Sequence, residues 1–396
     1  MISGYTYKNS HKNYRIGFGS PIDKITFNTV QGWNSNLDVF YSKQYNEYKR
    51  FMNLRASLNY GEADNRLRAT GRFYFKFNNI KRNYLQLNGG IKTEQFNGEN
   101  PISNTENLIA SLFFEDNYMK LYDKTFVKAS YGQEVFNGLN VSGNIAYENR
   151  KPLFNNTDYV LINDKNDSYF SNNPLDKSDF KTTVFREHKL LKFNLNTTIN
   201  FAQNYLSYPD GKYNVRSGKY PTIYLGYEKG FNANEHNYNY DEFKITLRQR
   251  LNLGAVGQFR YNLKAGLFYN ADNIAFMDYK HFNGNQIHVI TDGNYNNSFK
   301  NLPYYSLSTN RNYAETHLEH NFKGYILNKI PILNRLNFNL IASAKLANSE
   351  DFKPYSEFSL GVDNLGFGKY RFLRVDYVRS YQSGFLNDAV MFGISF

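Results

Sequence analysis

The strongest constraint on the fold of this chain is an alternation of apolar and polar residues with a period of two. Between residues 66 and 78 the odd positions are mostly apolar and the even positions are mostly basic. The same alternation recurs at 191–201, 243–253, 259–267 and 336–345. Such a pattern, sustained over about a dozen residues, predicts strands with one apolar and one polar face.

The lengths of these segments separate two all-β alternatives. Each runs for about 9–14 residues, near the length that a tilted strand needs to cross a bilayer. Turn clusters rich in Gly, Asn and Asp divide them, as at 60–65, 78–83 and 364–368. A soluble β-sandwich gives the same alternation, but its strands are usually about 5–6 residues long. The mean hydropathy of −0.64 also fits strands that are apolar on one face only.

Aromatic residues, which make up 18% of the chain, lie at the ends of the predicted strands, where interfacial girdles of a membrane barrel require them. They are Tyr60, Phe77, Tyr131, Tyr147, Tyr205, Tyr227, Tyr269 and Tyr381. The chain finishes on the alternating positions Val390, Phe392, Ile394 and Phe396. We therefore predict an all-β fold, a transmembrane antiparallel β-barrel of about 16 strands (range about 14–18) that occupies 1–396 as a single domain.

Three long connections interrupt the strands, at 98–118, 151–186 and 271–312. In the first, Leu108, Ile109, Leu112 and Phe113 recur at helical spacing, which predicts a short amphipathic helix; an irregular loop is the alternative. If an even number of strands closes the barrel, the connections 151–186, 271–312 and 349–354 face outward. The short turns 79–83, 254–257 and 364–369 then face the periplasm. This arrangement requires a further strand before residue 36.

The polar faces of the predicted strands carry most of the charge. The chain has a formal net charge of +12, but its basic residues are spread along strands, so a nucleic-acid partner is not favoured. We expect a lumen of mixed charge that binds neither metal nor cofactor. The candidate lumen-lining residues are Arg66, Arg68, Arg72, Lys92, Arg248, Arg250, Arg260, Lys264, Glu315, His317, Glu319, Arg374 and Asp376.

The sequence offers little for catalysis. It contains no cysteine, which excludes thiolate chemistry, and it has neither a P-loop nor a dinucleotide fingerprint. In a strand, His317 and Glu319 point to the face opposite that of His320, which makes a poor zinc site. A Ser–His pair would need His320 beside Ser343 or Ser359, but Ser343 falls on a polar face. We therefore expect no enzymatic activity. The amino-terminal residues 1–15 also lack the apolar stretch of a signal peptide.

Several short strings resemble a Bacteroidota family of outer-membrane proteins that has no assigned function. The strings are FNTVQG at 27–32, NYMKLY at 117–122, NGL at 137–139, YENRKPL at 147–153, SNNP at 171–174, HFNGNQ at 281–286, LPYYSLST at 302–309 and HLEH at 317–320. In that family, full-length members carry a signal peptide, a carboxypeptidase-regulatory-like domain and a C-terminal barrel. The resemblance implies that this chain is the barrel part.

A second resemblance reaches the superfamily of BamA and surface-antigen barrels. It rests on the order of a long loop after 280, an acidic strand at 313–324, a turn at 330–333 and the string LRVD at 373–376. Such barrels have 16 strands, and their long sixth loop folds into the lumen. The resemblance implies an occluding loop formed by His281, Phe282, Asn283, Gly284, Asn285 and Gln286. This loop lacks the Arg-Gly dipeptide of that superfamily, which disfavours insertase or translocation activity.

Together these features predict a protein of the cell outer membrane that takes part in envelope transport, protein translocation or outer-membrane assembly. The alternative is a structural subunit of a larger outer-membrane complex with no transport of its own. A soluble β-sandwich binder is the third hypothesis. The expected partners are outer-membrane lipid, lipopolysaccharide and other envelope proteins.

Overall fold

Strands dominate the computed structural model, which describes residues 4–45, 49–162, 168–209, 211–215, 218–234, 238–290 and 295–394. The strands are β1 (Tyr5–Asn9), β2 (Tyr14–Phe18), β3 (Thr26–Asn28), β4 (Gly32–Gln44), β5 (Phe51–Gly61), β6 (Arg66–Lys76), β7 (Tyr84–Gln95), β8 (Leu121–Phe136), β9 (Leu139–Pro152), β10 (His188–Asn200), β11 (Asn204–Tyr208), β12 (Gly211–Val215), β13 (Thr222–Phe231), β14 (Tyr240–Asn252), β15 (Gln258–Tyr269), β16 (Val289–Ile290), β17 (Tyr313–Asn321), β18 (Asn339–Ser349), β19 (Phe352–Phe367), β20 (Tyr370–Gln382) and β21 (Phe385–Ile394). The predicted terminal position Phe396 lies outside the described residues.

Helices are few. Those that lie wholly within the described residues are α1 (Asn104–Phe114), α2 (Gly324–Leu327) and single 3₁₀ turns at Ile22–Lys24, Gly254–Val256, Phe276–Asp278 and Leu333–Arg335. The start of α1 is fixed by a capping box, in which the Ser103 hydroxyl accepts from the backbone of Glu106 and the Glu106 carboxylate accepts from that of Ser103. None of the helices among the described residues is long and apolar enough to cross a membrane.

One 19-stranded sheet contains every strand except the separate β11–β12 hairpin. From β1 to β21, neighbours in the chain pair in antiparallel order, apart from two short strands. Strand β3 folds back on the start of β4, and β16 pairs in parallel with β21, Val289 opposite Phe392. The predicted all-β barrel-type fold class is therefore confirmed. Without the short strands β3 and β16, 17 of the 19 strands remain, one more than the 16 expected and within the predicted range. The strand required before residue 36 is present as β1 and β2.

The connections fall into two groups, as their parity along the chain predicts. The long-loop end of the sheet carries the connections 96–120, 153–187 and 270–312, together with the turn at 350–351. The short-turn end carries 77–83, 137–138, 253–257 and 368–369. Two connections at the short-turn end are longer than predicted, 201–221 with the β11–β12 hairpin and 322–338 with α2. Tyr205 therefore lies in that hairpin, and its predicted place at a barrel-strand end is wrong.

The two faces of the sheet differ in the way that a membrane barrel requires. Outward positions are apolar and exposed, with Leu67 at 66% and Val127 at 67%. Inward positions are charged and buried, with Arg68 at 2% and Glu315 at 1%. A soluble sandwich would bury the opposite face. The core of the molecule is thus polar as well as apolar, and it lies inside the curled sheet among the long connections.

The predicted helix in the first long connection is confirmed as α1. Leu112 is buried, and with Leu108 it packs against Phe27 and Tyr169. Ile109 and Phe113, on the other flank of the helix, remain exposed. One apolar flank therefore ties α1 to the rim of the sheet, where Asn107 donates to the carbonyl of Phe27, and the other faces away from the protein.

Candidate functional site

The connection between β15 and β17, which we name the plug loop (residues 271–312), lies inside the sheet. Most of its described residues are buried, although a loop of this polarity normally runs over the surface. A buried loop must find partners for its backbone and its charges. Three charged side chains of the plug loop meet this need, and each pairs with at least one side chain of opposite charge on the strands.

Asp278 forms the first ionic cluster, with cations on β9 and β10. Its carboxylate lies 3.0 Å from Nη2 of Arg150 and 3.0 Å from Nζ of Lys192. The hydroxyl of Tyr240 on β14 donates to the same carboxylate over 3.1 Å. Arg150 also pairs with Glu148, 2.8 Å away. Lys192 also pairs with Glu228 on β13, 2.5 Å away. The loop anion therefore joins a network in which strand cations and strand carboxylates already alternate.

Lys280 forms the second ionic cluster, with the reverse polarity. Its Nζ lies 2.8 Å from Oε2 of Glu315 on β17 and 3.7 Å from Glu99 in the connection 96–120. Lys264 on β15 approaches the other oxygen of Glu315 at 3.2 Å. His317 Nε2 lies 2.5 Å from that same oxygen. Burial raises the pKa of Glu99, but Lys280 and Lys264 outweigh it and hold that pKa below its usual value.

Lys300 forms the third ionic cluster and is fully buried. Its Nζ lies 3.2 Å from Asp376 on β20 and 2.7 Å from the hydroxyl of Ser359 on β19. Its backbone N–H donates to Glu357 over 2.7 Å. Arg374 also pairs with Asp376, over 2.7 Å. The hydroxyl of Ser343 on β18 also accepts from Nζ of Lys300, so the loop cation lies among acceptors on three successive strands.

Aromatic packing supports the same loop. Phe282 and Phe299 are buried with Tyr313 and Tyr355, and the rings of Phe299 and Tyr355 are 5.6 Å apart. Phe276 packs against a second aromatic group on the far side, 6.1 Å from the ring of Phe96. The loop therefore reaches from the β17–β20 part of the wall to the connection after β7.

The predicted occluding residues lie in the middle of this loop. His281, Phe282, Asn283, Gly284 and Asn285 are buried, and Gln286 is half-buried. The amide of Asn283 accepts from Asn97 over 2.9 Å. His281 Nδ1 contacts the hydroxyl of Ser308 over 2.7 Å. Burial, with Lys280 adding to it, lowers the pKa of His281 to about 3, so its ring is neutral at ordinary pH.

The candidate lumen-lining residues fall into three groups that differ in solvent exposure. Those buried in ionic contacts are Arg68, Glu315, His317, Glu319, Arg374 and Asp376. Those half-buried are Lys92, Arg260 and Lys264, and those exposed on the inward face are Arg66, Arg72, Arg248 and Arg250. The structure brings the first group together with the plug loop, apart from Arg68, which pairs with Asp64 and Asp123. It leaves Arg72, Arg248 and Arg250 near the short-turn end.

Sequence reasoning missed the loop charges that make these contacts. Asp278, Lys280 and Lys300 were not among the candidate residues, nor were their strand partners Arg150 and Lys192. The signal available was weak: isolated charges in a loop otherwise rich in Asn, Tyr and Phe. A lone charge in such a loop is usually solvated, and its partner on a distant strand cannot be read from spacing.

The Ser–His arrangement considered for catalysis is not formed. His320 is on the outward face, where its Nε2 contacts the carbonyl of Val256 over 3.1 Å. Ser343 and Ser359 are buried on the inward face beside Lys300. The two faces of the sheet thus separate the imidazole from both hydroxyls.

Comparison with solved structures finds several outer-membrane barrels. BamA from Haemophilus ducreyi lacking POTRA domains 1–3 is 8% identical, covers 99% of this chain and 74% of its own, and gives a TM-score of 0.48. CdiB from Acinetobacter baumannii is 10% identical over 88% of this chain and 53% of its own, with a TM-score of 0.40. A porin mutant from Rh. blastica is 11% identical over 99% and 98%, with a TM-score of 0.33. These identities are too low to transfer a function.

Comparison by sequence gives a family. No protein with a curated description matches the chain. A family model described as the C-terminal domain of a family of unknown function, DUF5686, matches residues 1–362. That match covers β1 to β18 and most of β19, and so includes the whole plug loop, whereas Arg374 and Asp376 of the third ionic cluster lie beyond it. The chain belongs to the DUF5686 family, of which it contains the C-terminal domain.

Proposed function

We propose that this chain is a barrel of the cell outer membrane whose interior is closed by the plug loop, and that movement of this loop serves envelope transport, protein translocation or outer-membrane assembly. The observation that carries the proposal is the set of ionic clusters around Asp278, Lys280 and Lys300. Each places a buried loop charge against strand charges of opposite sign.

The free energy of these buried ion pairs is compatible with a loop that moves out of the barrel interior. Buried ion pairs gain little over hydrated ions, because the desolvation cost offsets most of the attraction. Moving the loop into water therefore returns hydration to Asp278, Lys280 and Lys300, and the strand partners regain theirs in the vacated lumen. A loop fixed only by apolar side chains would lose its contacts with no such return.

The proposal also concerns the surroundings and the partners of the protein. Outer-membrane lipid and lipopolysaccharide would cover the apolar outward face, and other envelope proteins would meet the long-loop end. A Bacteroidota source and a preceding carboxypeptidase-regulatory-like domain belong to the proposal through the sequence resemblance. We propose no catalytic step, no metal, no cofactor and no nucleic-acid partner.

Planar-bilayer conductance tests the proposal. Deleting 281–286 should raise the conductance above that of the unaltered chain, and Asp278→Asn should increase the frequency of openings. Asp272→Asn is the matched control, because Asp272 is a carboxylate in the same loop whose partner, Arg311, is also exposed. Conductance unchanged by the deletion, in a protein that still inserts and folds, would refute a mobile plug.

The second candidate is a structural subunit without transport activity. It is favoured by exposed apolar side chains on the long connections, including Phe114 at 58%, Leu175 at 65% and Phe180 at 49%. Such side chains suit contacts with another protein. Extraction in mild detergent distinguishes the two candidates: a stoichiometric complex with unaltered conductance in every plug variant would support the subunit.

A further inference from the structure

We propose that the half of the interior nearest the short-turn end binds ligands that carry phosphate groups. The inward arginines of this half are Arg55, Arg72, Arg248, Arg250 and Arg260. None belongs to the plug-loop clusters. The inference therefore rests on cations that the plug loop does not neutralise, and it can fail or succeed separately from the proposed loop movement.

The register of the strands sets these arginines against one another. Arg55 on β5 lies opposite Arg72 on β6 in the antiparallel ladder. Arg250 on β14 lies opposite Arg260 on β15, and Arg248 is one inward position further up β14. Like charges directly opposite in a ladder are unfavourable. Two such pairs, on separate parts of the wall, are not explained by the stability of the sheet.

Carboxylates do not neutralise these side chains within the described residues. Arg55, Arg72, Arg248 and Arg250 form no salt bridge there, and Arg260 has only Glu319, at 4.0 Å. Arg72 lies over the ring of Tyr74 at 5.8 Å, and Arg248 lies over the ring of Tyr224 at 5.6 Å. These rings orient the guanidinium groups while leaving their N–H donors free for a ligand.

Space for a ligand adjoins the β14–β15 arginines. A polar cavity of about 540 Å³ is lined by Lys244, Arg248 and Lys264 on these strands and by Lys192 on β10. Glu228 and Glu242 also line it, but both already pair with lysines. Plug-loop residues, among them Asp278 and Lys280, line it as well, together with Glu99. Since the lining lysines already pair with carboxylates, Arg248 is the lining cation left without such a partner among the described residues. The walls of the cavity focus the field of this guanidinium.

Phosphate is the group that fits these donors best. A guanidinium offers a planar fork that matches two oxygens of a phosphate, and hydrogen bonds between ionised partners are the stronger kind. Two guanidiniums held opposite each other can share one phosphate or hold two. The phosphate could come from a soluble molecule or from a lipid headgroup, so the test has an arm for each source.

Calorimetric titration of the purified full chain in neutral detergent tests the inference, with inorganic tripolyphosphate as the soluble probe. The unaltered chain should bind, and binding should weaken as salt is raised. Replacing both Arg250→Gln and Arg260→Gln should weaken it by about tenfold, the effect of losing one charge-assisted contact. Replacing both Lys177→Gln and Lys181→Gln removes the same charge at the long-loop end and should leave binding unchanged.

Titration with nanodiscs that contain phosphatidylglycerol provides the lipid arm. Binding of the lipid alone, lost in the arginine variant, would assign the phosphate to a headgroup. The Arg250→Lys and Arg260→Lys variant keeps the charge without the fork and should bind more weakly than the unaltered chain. No binding of either probe, or equal losses in the arginine and lysine-to-glutamine variants, would overturn the inference.

Discussion

The two halves of the interior are formed by the same strands but differ in whether their charged side chains are paired. We call the half nearest the long-loop end the paired half and the half nearest the short-turn end the unpaired half. On β14, Glu242 and Lys244 near the long-loop end lie 2.8 Å apart within a paired network. Further along the same inward face, Arg248 and Arg250 have no carboxylate partner among the described residues. The paired half holds carboxylates of the strands, such as Glu228 and Glu242, and it is also the half that receives the charges of the plug loop. Alternation along a strand thus decides which face is polar, whereas the placement of carboxylates on strands and loop decides which inward cations are neutralised.

Removing a buried ion pair from the paired half should cause the largest change in stability. Arg150→Met removes the main partner of Asp278 and leaves a buried anion with only Lys192 and Tyr240. Breaking a buried pair in this way should lower the free energy of unfolding by about 3–5 kcal/mol. Urea unfolding of the protein folded into lipid vesicles measures the change.

Arg311→Met provides the control for that experiment. Arg311 and Asp272 form an ion pair in the same loop, but their side chains are 47% and 68% exposed. An exposed pair contributes about 0–1 kcal/mol. Equal losses in the two variants would mean that burial of the loop charges is not what stabilises the plug.

A smaller effect on stability, one that depends on pH, should come from Lys120. This residue lies in the connection 96–120 at the long-loop end, but it differs from the other buried cations there. Its Nζ is buried and donates to the carbonyl of Ser171 over 2.7 Å, with no carboxylate at salt-bridge distance among the described residues. Burial, with Lys177 adding to it, lowers its pKa to about 7, against the weaker pull of Asp116. The unfolded chain keeps this proton up to about pH 10.4. Between these values the unfolded state binds more protons, so stability rises with pH.

Limited proteolysis of the connection 153–187 measures this effect. Its protection should increase as the pH is raised from 7 towards 10. In Lys120→Met the protection should no longer change over that range. A fall in protection with rising pH in the unaltered chain would contradict the proposed cause, since it would require a Lys120 that is stabilised in its charged form.

The smallest change in the free energy of unfolding should come from a substitution in the unpaired half. Its sign should be opposite to that of Arg150→Met. Arg250→Gln removes one of two like charges that face each other across β14 and β15. Stability should be unchanged or should rise by about 0.2–1 kcal/mol, measured by the same urea unfolding. A loss comparable to that of Arg150→Met would show that Arg250 has a stabilising partner, and the contrast between the halves would not hold.

Local pattern was enough to predict the strands, their faces and the grouping of the long connections at one end. These features depend on the identity of alternate residues, as on β6, where Arg68 points inward and Leu67 outward. The contacts of the plug loop could not be predicted from the local pattern. Asp278 meets Arg150 across 128 positions of sequence, and no periodicity links them. The connection 201–221 was also misread, because its hairpin alternates as barrel strands do.

The central claim is that the plug loop fills one half of the interior and leaves the other accessible. The chain has no cysteine, so a single introduced thiol reports on its own site. The direct measurement compares the rates at which a hydrophilic maleimide labels Ser359→Cys, beside Lys300, and Arg250→Cys. The account predicts fast labelling at 250, slow labelling at 359, and fast labelling at 359 once 281–286 are deleted. Equal rates at the two positions in the intact chain would contradict it.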